Sequence, residues 1–285
     1  MTRLFIDSNA GLCPGVKRAL SGAFDYAQKR KKVVSYGDII HNPAIIAKIE
    51  TAGISTIHHL KDVPAGASVL IRAHGILPEE EDYLKKAGIE YLDLTCAIVK
   101  KVHNIITQYK NNSYQIIIVG KKEHPETVAH LGYAGAGAVV INSVNEVAGV
   151  DIHAPCLAVA QTTTSYALFL NVLTELKARI PELKGINTIC SFVRDRQEWI
   201  RQYAEKCDCS LIIGGRQSSN TARLYEIASR FSRAFWIENE NEFTSDMIPD
   251  NNSIALTAGT STMEETISKV IEKLYSKEIF PVFLG

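Results

Sequence analysis

Three cysteines share a local pattern that suits metal binding. Cys13, Cys96 and Cys190 each end a short apolar run, and each is followed by valine at the third position and a basic residue at the fourth. This pattern predicts that each cysteine begins a helix, whose dipole favours the thiolate by ~0.3–1 kcal/mol. Because three thiolates leave a fourth position open, they suit an iron–sulfur cluster with one reactive iron better than a structural zinc site.

The other three cysteines have different surroundings. Cys156 begins an apolar run and is predicted to be a buried core thiol. Cys207 and Cys209 form a Cys-x-Cys pair just before another apolar run. Such a pair can bind metal, but the sequence has no matching second pair, so its role stays open. Disulfides are not expected in a reducing cytosol.

A second group of residues offers hydrogen-bond donor side chains where predicted strands lead into loops. Its members are His41, His74, His124, Ser218, Ser219, Asn220 and Ser261. The group is rich in hydrogen-bond donors and poor in fixed positive charge, and each charge-assisted bond is worth ~1.5–3 kcal/mol. It therefore favours a small phosphate or diphosphate ligand. The remaining histidines are predicted to be structural or at the surface, and they are His58, His59, His103, His130 and His153.

Glu126 is the one carboxylate in this set of loop mouths, in the sequence Glu-His-Pro-Glu. A carboxylic acid beside a histidine and a metal cluster can relay protons. The alternative is a glutamate that only stabilises the start of a helix, which is a common position for this residue. Thr162, with Thr163 and Thr164, is predicted to bond a substrate hydroxyl or Glu126, or to cap the helix that follows.

Short apolar runs, predicted to be strands, alternate with segments long enough to form helices. The candidate site residues lie at the ends of these runs. Three runs end in glycine, and they are Val33–Gly37, Ile116–Gly120 and Leu211–Gly215. Three more lead into a second loop, and they are Ser68–Ala73, Cys156–Ala160 and Ile254–Ala258. The runs Tyr91–Cys96 and Asn187–Cys190 end in a cysteine, while the opening run Arg3–Asp7 leads to Cys13. The same unit is therefore predicted three times, with its third copy completed by the start of the chain.

This alternation predicts a parallel α/β fold, in which ligands bind beyond the carboxyl ends of the strands. We expect three similar α/β modules around a pseudo-threefold axis, with an iron–sulfur cluster at the centre. Their predicted boundaries are 1–96, 97–190 and 191–285, and the opening strand packs on the third module. The alternative is that the strand–turn–helix junctions are unrelated, because α/β proteins contain many of them.

Composition and charge narrow the class of protein. Lys and Arg total 31, as do Asp and Glu, so no overall charge favours nucleic acid or an anionic membrane. The sequence shows no apolar run of the ~18 residues that a membrane span needs, and its N-terminus lacks the shape of a signal peptide. The expectation is a cytoplasmic enzyme.

Taken in order, the motifs resemble a known family. They are Gly11-Leu-Cys13-Pro-Gly-Val, His41-Asn-Pro, Ala73-His74-Gly75, Thr95-Cys96, His124-Pro-Glu126, Gln161-Thr-Thr, Ser218-Ser-Asn220 and Thr257-Ala-Gly-Thr-Ser261. This ordered set resembles the LytB or IspH family of 4-hydroxy-3-methylbut-2-enyl diphosphate reductases. The resemblance runs from the first strand over nearly the whole chain.

The resemblance implies a 4Fe–4S cluster held by Cys13, Cys96 and Cys190, with one open iron. It implies that Glu126 and Thr162 hold and protonate the hydroxyl of an allylic diphosphate. The diphosphate would be bound by His41, His74, Ser218, Ser219, Asn220 and Ser261, with His124 beside them. The implied reaction is a two-electron reductive dehydroxylation to isopentenyl and dimethylallyl diphosphates in non-mevalonate isoprenoid biosynthesis, with ferredoxin or flavodoxin as electron donor.

Some positions differ from the family pattern and leave alternatives open. Ala97 replaces the usual proline after the second cysteine, while Val193 and Asp195 replace the usual threonine and asparagine after the third. A divergent paralogue that keeps the cluster but acts on another small substrate is the second hypothesis. The third is a non-catalytic iron–sulfur sensor.

Overall fold

Strands and helices alternate along the chain in a computed structural model, which describes residues 3–248, 253–276 and 280–281. The chain divides into two compact units. Unit 1 consists of Met1–Val16, Ile40–Ala47 and Ser191–Gly285, and unit 2 consists of Lys17–Ile39 and Lys48–Cys190.

Unit 2 contains two four-stranded parallel sheets with the same strand order. The first sheet of unit 2 ends with β5. In chain order, the elements as far as β5 are β1 (Arg3–Ile6, in unit 1), α1 (Pro14–Gln28), β2 (Val33–Tyr36), α2 (Pro43–Thr51), β3 (Ile54–Ile57), β4 (Ser68–Ile71), α3 (Pro78–Lys86) and β5 (Tyr91–Asp93). The second set is α4 (Ala97–Asn111), β6 (Gln115–Val119), α5 (Pro125–Ala134), β7 (Val139–Ile141), β8 (Cys156–Ala160), α6 (Tyr166–Arg179) and β9 (Lys184–Gly185). The sheets run β3-β2-β4-β5 and β7-β6-β8-β9.

Unit 1 contains a third parallel sheet. Its further elements are α7 (Ser191–Ala204), β10 (Cys209–Ile213), α8 (Ser219–Ala228), β11 (Arg233–Ile237), β12 (Ser253–Ala258), α9 (Glu264–Tyr275) and β13 (Phe280–Pro281). The order is β11-β10-β12-β1-β13, so the opening strand β1 occupies the place that β5 and β9 hold in the other sheets. Arg3 pairs with Ser253 and Ile6 with Leu256 in this parallel register. The prediction of three parallel α/β modules is confirmed, while the boundaries 1–96, 97–190 and 191–285 stay a prediction.

The central strands form the cores of the modules. Every residue of β4, β6, β8, β10 and β12 is buried, which is typical of parallel strands covered by helices on both faces. Their residues are mostly Val, Ile, Leu and Ala. Because both faces are buried, apolar residues do not alternate with polar ones along these strands. This is why the sequence shows them as continuous apolar runs, and why their polar carboxyl-end loops stand out.

One predicted strand is misplaced. The run Asn187–Cys190 is not a strand, because the structure places β9 at Lys184–Gly185. Thr188 explains the difference, since its hydroxyl accepts from the backbone N–H of Ala160 at 2.8 Å and donates to the carbonyl oxygen of Ala160 at 2.6 Å. A side chain thus makes the bonds that a neighbouring strand would make.

Among the described residues, the helices all fall short of the length and apolarity that crossing a membrane requires.

Candidate active site

The three helix-start cysteines are held by the same backbone contact in each module. Each donates its backbone N–H to the carbonyl oxygen of the second residue after β4, β8 or β12. The pairs are Cys96–Ala73 at 3.0 Å, Cys190–Thr162 at 2.9 Å and Cys13–Thr260 at 3.1 Å. The equivalence of these contacts shows that the repeat extends from the sheets to the loops that carry the cysteines.

The side chains of these cysteines fit the role of metal ligands. Cys13, Cys96 and Cys190 form no disulfide and are only partly buried, and they directly precede α1, α4 and α7. The N–H of Val16 in the first turn of α1 points at Cys13 Sγ, 3.4 Å away, which is a contact that stabilises a thiolate. Three such sulfurs are a donor set that suits an iron–sulfur group.

The other three cysteines do not share these properties. Cys156, Cys207 and Cys209 are buried. Burial raises the pKa of Cys156, and it raises the pKa of Cys207 and of Cys209 to about 11. Burial thus disfavours the thiolate forms of these residues, and the role of the Cys-x-Cys pair stays open.

Glu126 and Thr162 form a buried acid–hydroxyl pair in unit 2. Glu126 lies in the first turn of α5 and is 2% exposed. Its Oε1 accepts the backbone N–H of Thr162 at 2.6 Å, and its Oε2 accepts the Thr162 hydroxyl at 2.7 Å. Of the alternatives for Thr162, the structure shows the bond to Glu126, while Ser165 caps the following helix. Thr162 is the second residue after β8, at the carboxyl end of the sheet, where parallel sheets bind ligands.

His130, predicted to be structural or at the surface, lies against this pair. It is fully buried, and its Nε2 lies 3.2 Å from Glu126 Oε1. The spacing of four residues on one helix places both side chains on the same face, and this spacing was the signal available in the sequence. Burial on its own raises the pKa of Glu126, but the bond and charge of His130, with smaller contributions from His124 and the Thr162 N–H, lower it to about 2. Glu126 is therefore a carboxylate at neutral pH.

His124 and His74 stand next to each other in unit 2. His124 Nδ1 accepts the N–H of Glu126 at 3.2 Å and so caps α5. Its ring meets that of His74 edge to face, with centroids 5.4 Å apart. The capping bond fixes the tautomer and orientation of His124, because it occupies Nδ1 as an acceptor.

The predicted donors of unit 1 come together at the carboxyl end of its sheet. Asn42 Nδ2 donates to the carbonyl oxygen of Ser261 at 2.8 Å, which ties the His41 loop to the loop after β12. At Gly215 a Cβ would lie 3.0 Å from the carbonyl oxygen of His41, so this glycine permits close approach of the backbones. Ser218 begins α8, where its hydroxyl accepts the N–H of Thr221 at 3.3 Å.

Two buried polar side chains of this group lack protein partners. Asn220 is 2% exposed and Ser261 is 6% exposed. Within the described part of the chain, neither the amide atoms of Asn220 nor the hydroxyl oxygen of Ser261 has a hydrogen-bond partner. An unpaired buried polar group costs about 1–3 kcal/mol, so these atoms are expected to serve a ligand. Ser219 is partly exposed at the first residue of α8, where helix N–H groups favour anions.

The positions that differ from the family pattern lie in ordinary surroundings. Val193 is 3% exposed and packs in the interior on α7. The side chain of Asp195 is 57% exposed and pairs with Arg194 at 3.2 Å. Ala97 is an exposed first residue of α4. Because the charge of Asp195 is both solvated and paired, it has little influence on a buried anion site.

The fold and the site define a class of α/β protein with three repeated parallel-sheet modules, a cysteine anchored at a helix start in each repeat, and a buried acid. The chain matches the sequence model of the family described as LytB protein over residues 4–275, and it belongs to that family. The family resemblance seen in the motifs is thereby confirmed.

Relatives of known name cover almost the whole chain. A protein of Thermoanaerobacter sp. (strain X514) is 36% identical over 277 residues, which are 95% of this chain and 96% of that protein. A protein of Aquifex aeolicus is 34% identical over 279 residues, 96% of either chain. Both are named 4-hydroxy-3-methylbut-2-enyl diphosphate reductase.

Two solved structures are also similar. The E-1-hydroxy-2-methyl-but-2-enyl-4-diphosphate reductase of Plasmodium falciparum has a TM-score of 0.92 and 27% identity, with coverage of 99% of this chain and 93% of that one. A second structure, described as (E)-4-hydroxy-3-methyl-but-2-enyl diphosphate reductase and the terminal enzyme of the non-mevalonate pathway, has a TM-score of 0.70 and 33% identity. Its coverage is 97% of this chain and 100% of that one.

Proposed function

We propose that this chain is an oxidoreductase that converts 4-hydroxy-3-methylbut-2-enyl diphosphate into isopentenyl and dimethylallyl diphosphates. The observation that carries the proposal is the buried Glu126–Thr162 pair, within a LytB-family chain whose cysteines share one anchoring contact. The reaction consumes two electrons and two protons for each substrate and releases one water. One proton leaves with the hydroxyl, and the other is added to the allylic carbon skeleton.

Cys13, Cys96 and Cys190 would hold a 4Fe–4S cluster with one open iron. Their partial exposure and helix-start positions support this assignment. When bound, such a cluster supplies electrons one at a time, and its open iron acts as a Lewis acid toward the hydroxyl. Ferredoxin or flavodoxin is the proposed electron donor, as the family resemblance implies. Direct use of NADPH is not proposed, because the sequence lacks the Gly-x-Gly-x-x-Gly fingerprint of dinucleotide binding.

Glu126 would deliver the proton that converts the hydroxyl into water. The Thr162 hydroxyl donates to Glu126 Oε2 and so orients the carboxyl group. Since Glu126 is ionised at rest, it must take up a proton before it can give one to the substrate. His124, held by its cap to the N–H of Glu126, would stand beside the substrate.

The diphosphate would be bound by donors from several loops, which are His41, His74, Ser218, Ser219, Asn220 and Ser261. The unpartnered atoms of Asn220 and Ser261 support this assignment, because a phosphate oxygen would accept from both groups. The N-terminus of α8 adds backbone N–H groups directed at an anion.

Asn220→Ala is expected to raise the KM for the diphosphate about 10- to 100-fold, the equivalent of one lost charge-assisted bond. Its free energy of unfolding should change by less than about 1 kcal/mol, because the lost packing is offset by removal of an unpaired buried amide. Asn42→Ala is the contrasting variant, since Asn42 caps α2 and bonds Ser261, and it should lose about 1–2 kcal/mol. Steady-state kinetics and urea denaturation measure both quantities. An unchanged KM in Asn220→Ala would remove this residue from the proposed diphosphate site.

The function itself is tested with anaerobically reconstituted protein, a low-potential one-electron donor and hydroxymethylbutenyl diphosphate. The two C5 diphosphates are then quantified, with a reaction lacking the donor as control. We expect both products in the complete reaction only. An intact cluster without product would favour the paralogue that acts on another small substrate. Absence of iron and sulfide from the reconstituted protein would contradict the cluster assignment.

A further inference from the structure

The Glu126 carboxylate has a neighbour that the proposed reaction does not use. His130 lies on α5 one turn after Glu126 and bonds Glu126 Oε1 through its Nε2 at 3.2 Å. The His130 side chain is fully buried. Its other ring nitrogen, Nδ1, has no hydrogen-bond partner within the described residues. A buried imidazole with one nitrogen on an acid and the other unpaired can accept a proton on one side and pass it on from the other.

A second buried histidine lies against His130. His103 on α4 meets the His130 ring edge to face, with centroids 5.1 Å apart, and stacks on Tyr133 at 4.0 Å. His103 is 5% exposed, and its Nε2 is likewise unpartnered among the residues that the structure describes. His130 therefore contacts Glu126 through its Nε2 and His103 through the edge-to-face ring contact.

His103 also lines a polar cavity of about 220 Å³ in unit 2. Other residues of the lining include Asp93, Thr95, Lys100, Asn104 and Tyr133. Gly75 brings its backbone close to His103, since a Cβ there would lie 2.9 Å from His103 Cε1. A polar cavity of this volume has room for several water molecules. Glu126 and His130 are absent from the cavity lining that the structure describes, so His103 is the group that joins them to it.

The groups around His103 keep its imidazole neutral, so that it can pass a proton on rather than hold one. Burial, with the positive charge of His130, lowers the pKa of His103 to about 3, against the opposing effect of Glu126 and Asp93. Lys100 adds a smaller lowering effect. His103 is therefore neutral at pH 7 and can transmit a proton by accepting at one nitrogen and releasing from the other.

We propose that His103 and His130 form a proton-supply route from the polar cavity to Glu126. In each turnover one proton passes from cavity water to His103, from His103 to His130, from His130 to Glu126 and finally to the departing hydroxyl of the substrate. No electron moves in this sequence, and each histidine returns to its starting state when the next proton enters. Both histidines act through Glu126 and do not touch the substrate. The route rests on the proposed function, because it supplies the acid of that reaction.

Chemical rescue tests the route at its cavity end. His103→Ala should lower kcat about 10- to 100-fold and leave KM within twofold, since substrate contacts are unaffected. Added imidazole, which is small enough for the cavity, should restore a large part of kcat in a concentration-dependent manner. Asn104→Ala, a change in the same cavity lining and helix, should keep wild-type kcat and show no response to imidazole. A loss of kcat in His103→Ala that imidazole leaves unchanged would overturn the route.

A second measurement needs neither turnover nor cluster. Infrared titration of the Glu126 carboxyl group, assigned by its absence in Glu126→Gln, should show ionisation at low pH in the wild type. In His130→Asn the same group should titrate at clearly higher pH, because the effect of burial on its pKa is no longer opposed by the bond and charge of His130. An unchanged titration in His130→Asn would overturn the step of the route that joins His130 to Glu126. This result stands whether or not the wild type forms C5 diphosphates, so failure of the route and failure of the proposed function are distinguishable.

Discussion

Glu126→Gln is expected to lower kcat about 10²–10⁴-fold while leaving KM and iron content close to wild type. The amide has the shape of the carboxyl group and can still accept the Thr162 hydroxyl bond, but it cannot take up and release a proton. Steady-state kinetics with a one-electron donor, together with iron analysis, measures the effect. Glu123→Gln, an exposed glutamate just before α5, is the matched control and should behave as wild type. If Glu126→Gln kept kcat within twofold of wild type, another group would have to be the acid.

The same variant should also change how stability depends on pH. The pKa of Glu126 falls from 4.5 to about 2 in the folded chain, because His130 and the Thr162 N–H outweigh the effect of burial. A folded pKa below the unfolded value adds stability that is fully present above about pH 4.5 and is lost as pH falls toward 2. Glu126→Gln lacks this contribution, so at pH 7 it should be less stable by roughly 3 kcal/mol. The difference should narrow in urea denaturation below about pH 4, and a difference independent of pH would contradict this origin.

Cys96→Ala is expected to abolish the stoichiometric cluster and with it all reductase activity. Cys96 is only partly buried, and its anchoring contact to Ala73 uses the backbone N–H, which alanine keeps. The chain should therefore fold and simply lack one of three thiolate ligands. Iron and sulfide analysis after anaerobic reconstitution, with electron paramagnetic resonance of the reduced protein, measures the loss.

Cys156→Ala is the control for this experiment. Its thiol is buried in β8 and protonated, so the variant should bind iron as wild type does and lose about 1–2 kcal/mol of stability from the small cavity. Wild-type iron content in Cys96→Ala would show that Cys96 is not a ligand. Loss of iron from Cys156→Ala, with none from Cys96→Ala, would show that the cluster had been assigned to the wrong cysteines.

Local features of the site were readable in the sequence. The starts of α1, α4 and α7 follow from the residues around each cysteine, because helix initiation depends on a few neighbouring residues. The central strands were visible as apolar runs, since both faces of a parallel sheet are buried. The ordered motifs were enough to indicate the family, which the comparisons confirm. The assignments of ligands and donors to these positions stay predictions.

Contacts between segments distant in sequence were decided by the tertiary structure. The pairing of Thr162 with Glu126 depends on β6 and β8 being neighbours, which places the loops after them side by side. That His130 is buried and bonds Glu126 was decided by the tertiary structure, because it depends on which face of α5 packs in the interior. The missing strand at Asn187–Cys190 reflects the Thr188 bonds to Ala160, which no local pattern indicates. The sequence by itself determined which residues can do the chemistry, since their types and local settings are properties of short segments. Only the tertiary structure decided which of them share protons and hydrogen bonds, because those contacts join elements that only the sheet order brings together.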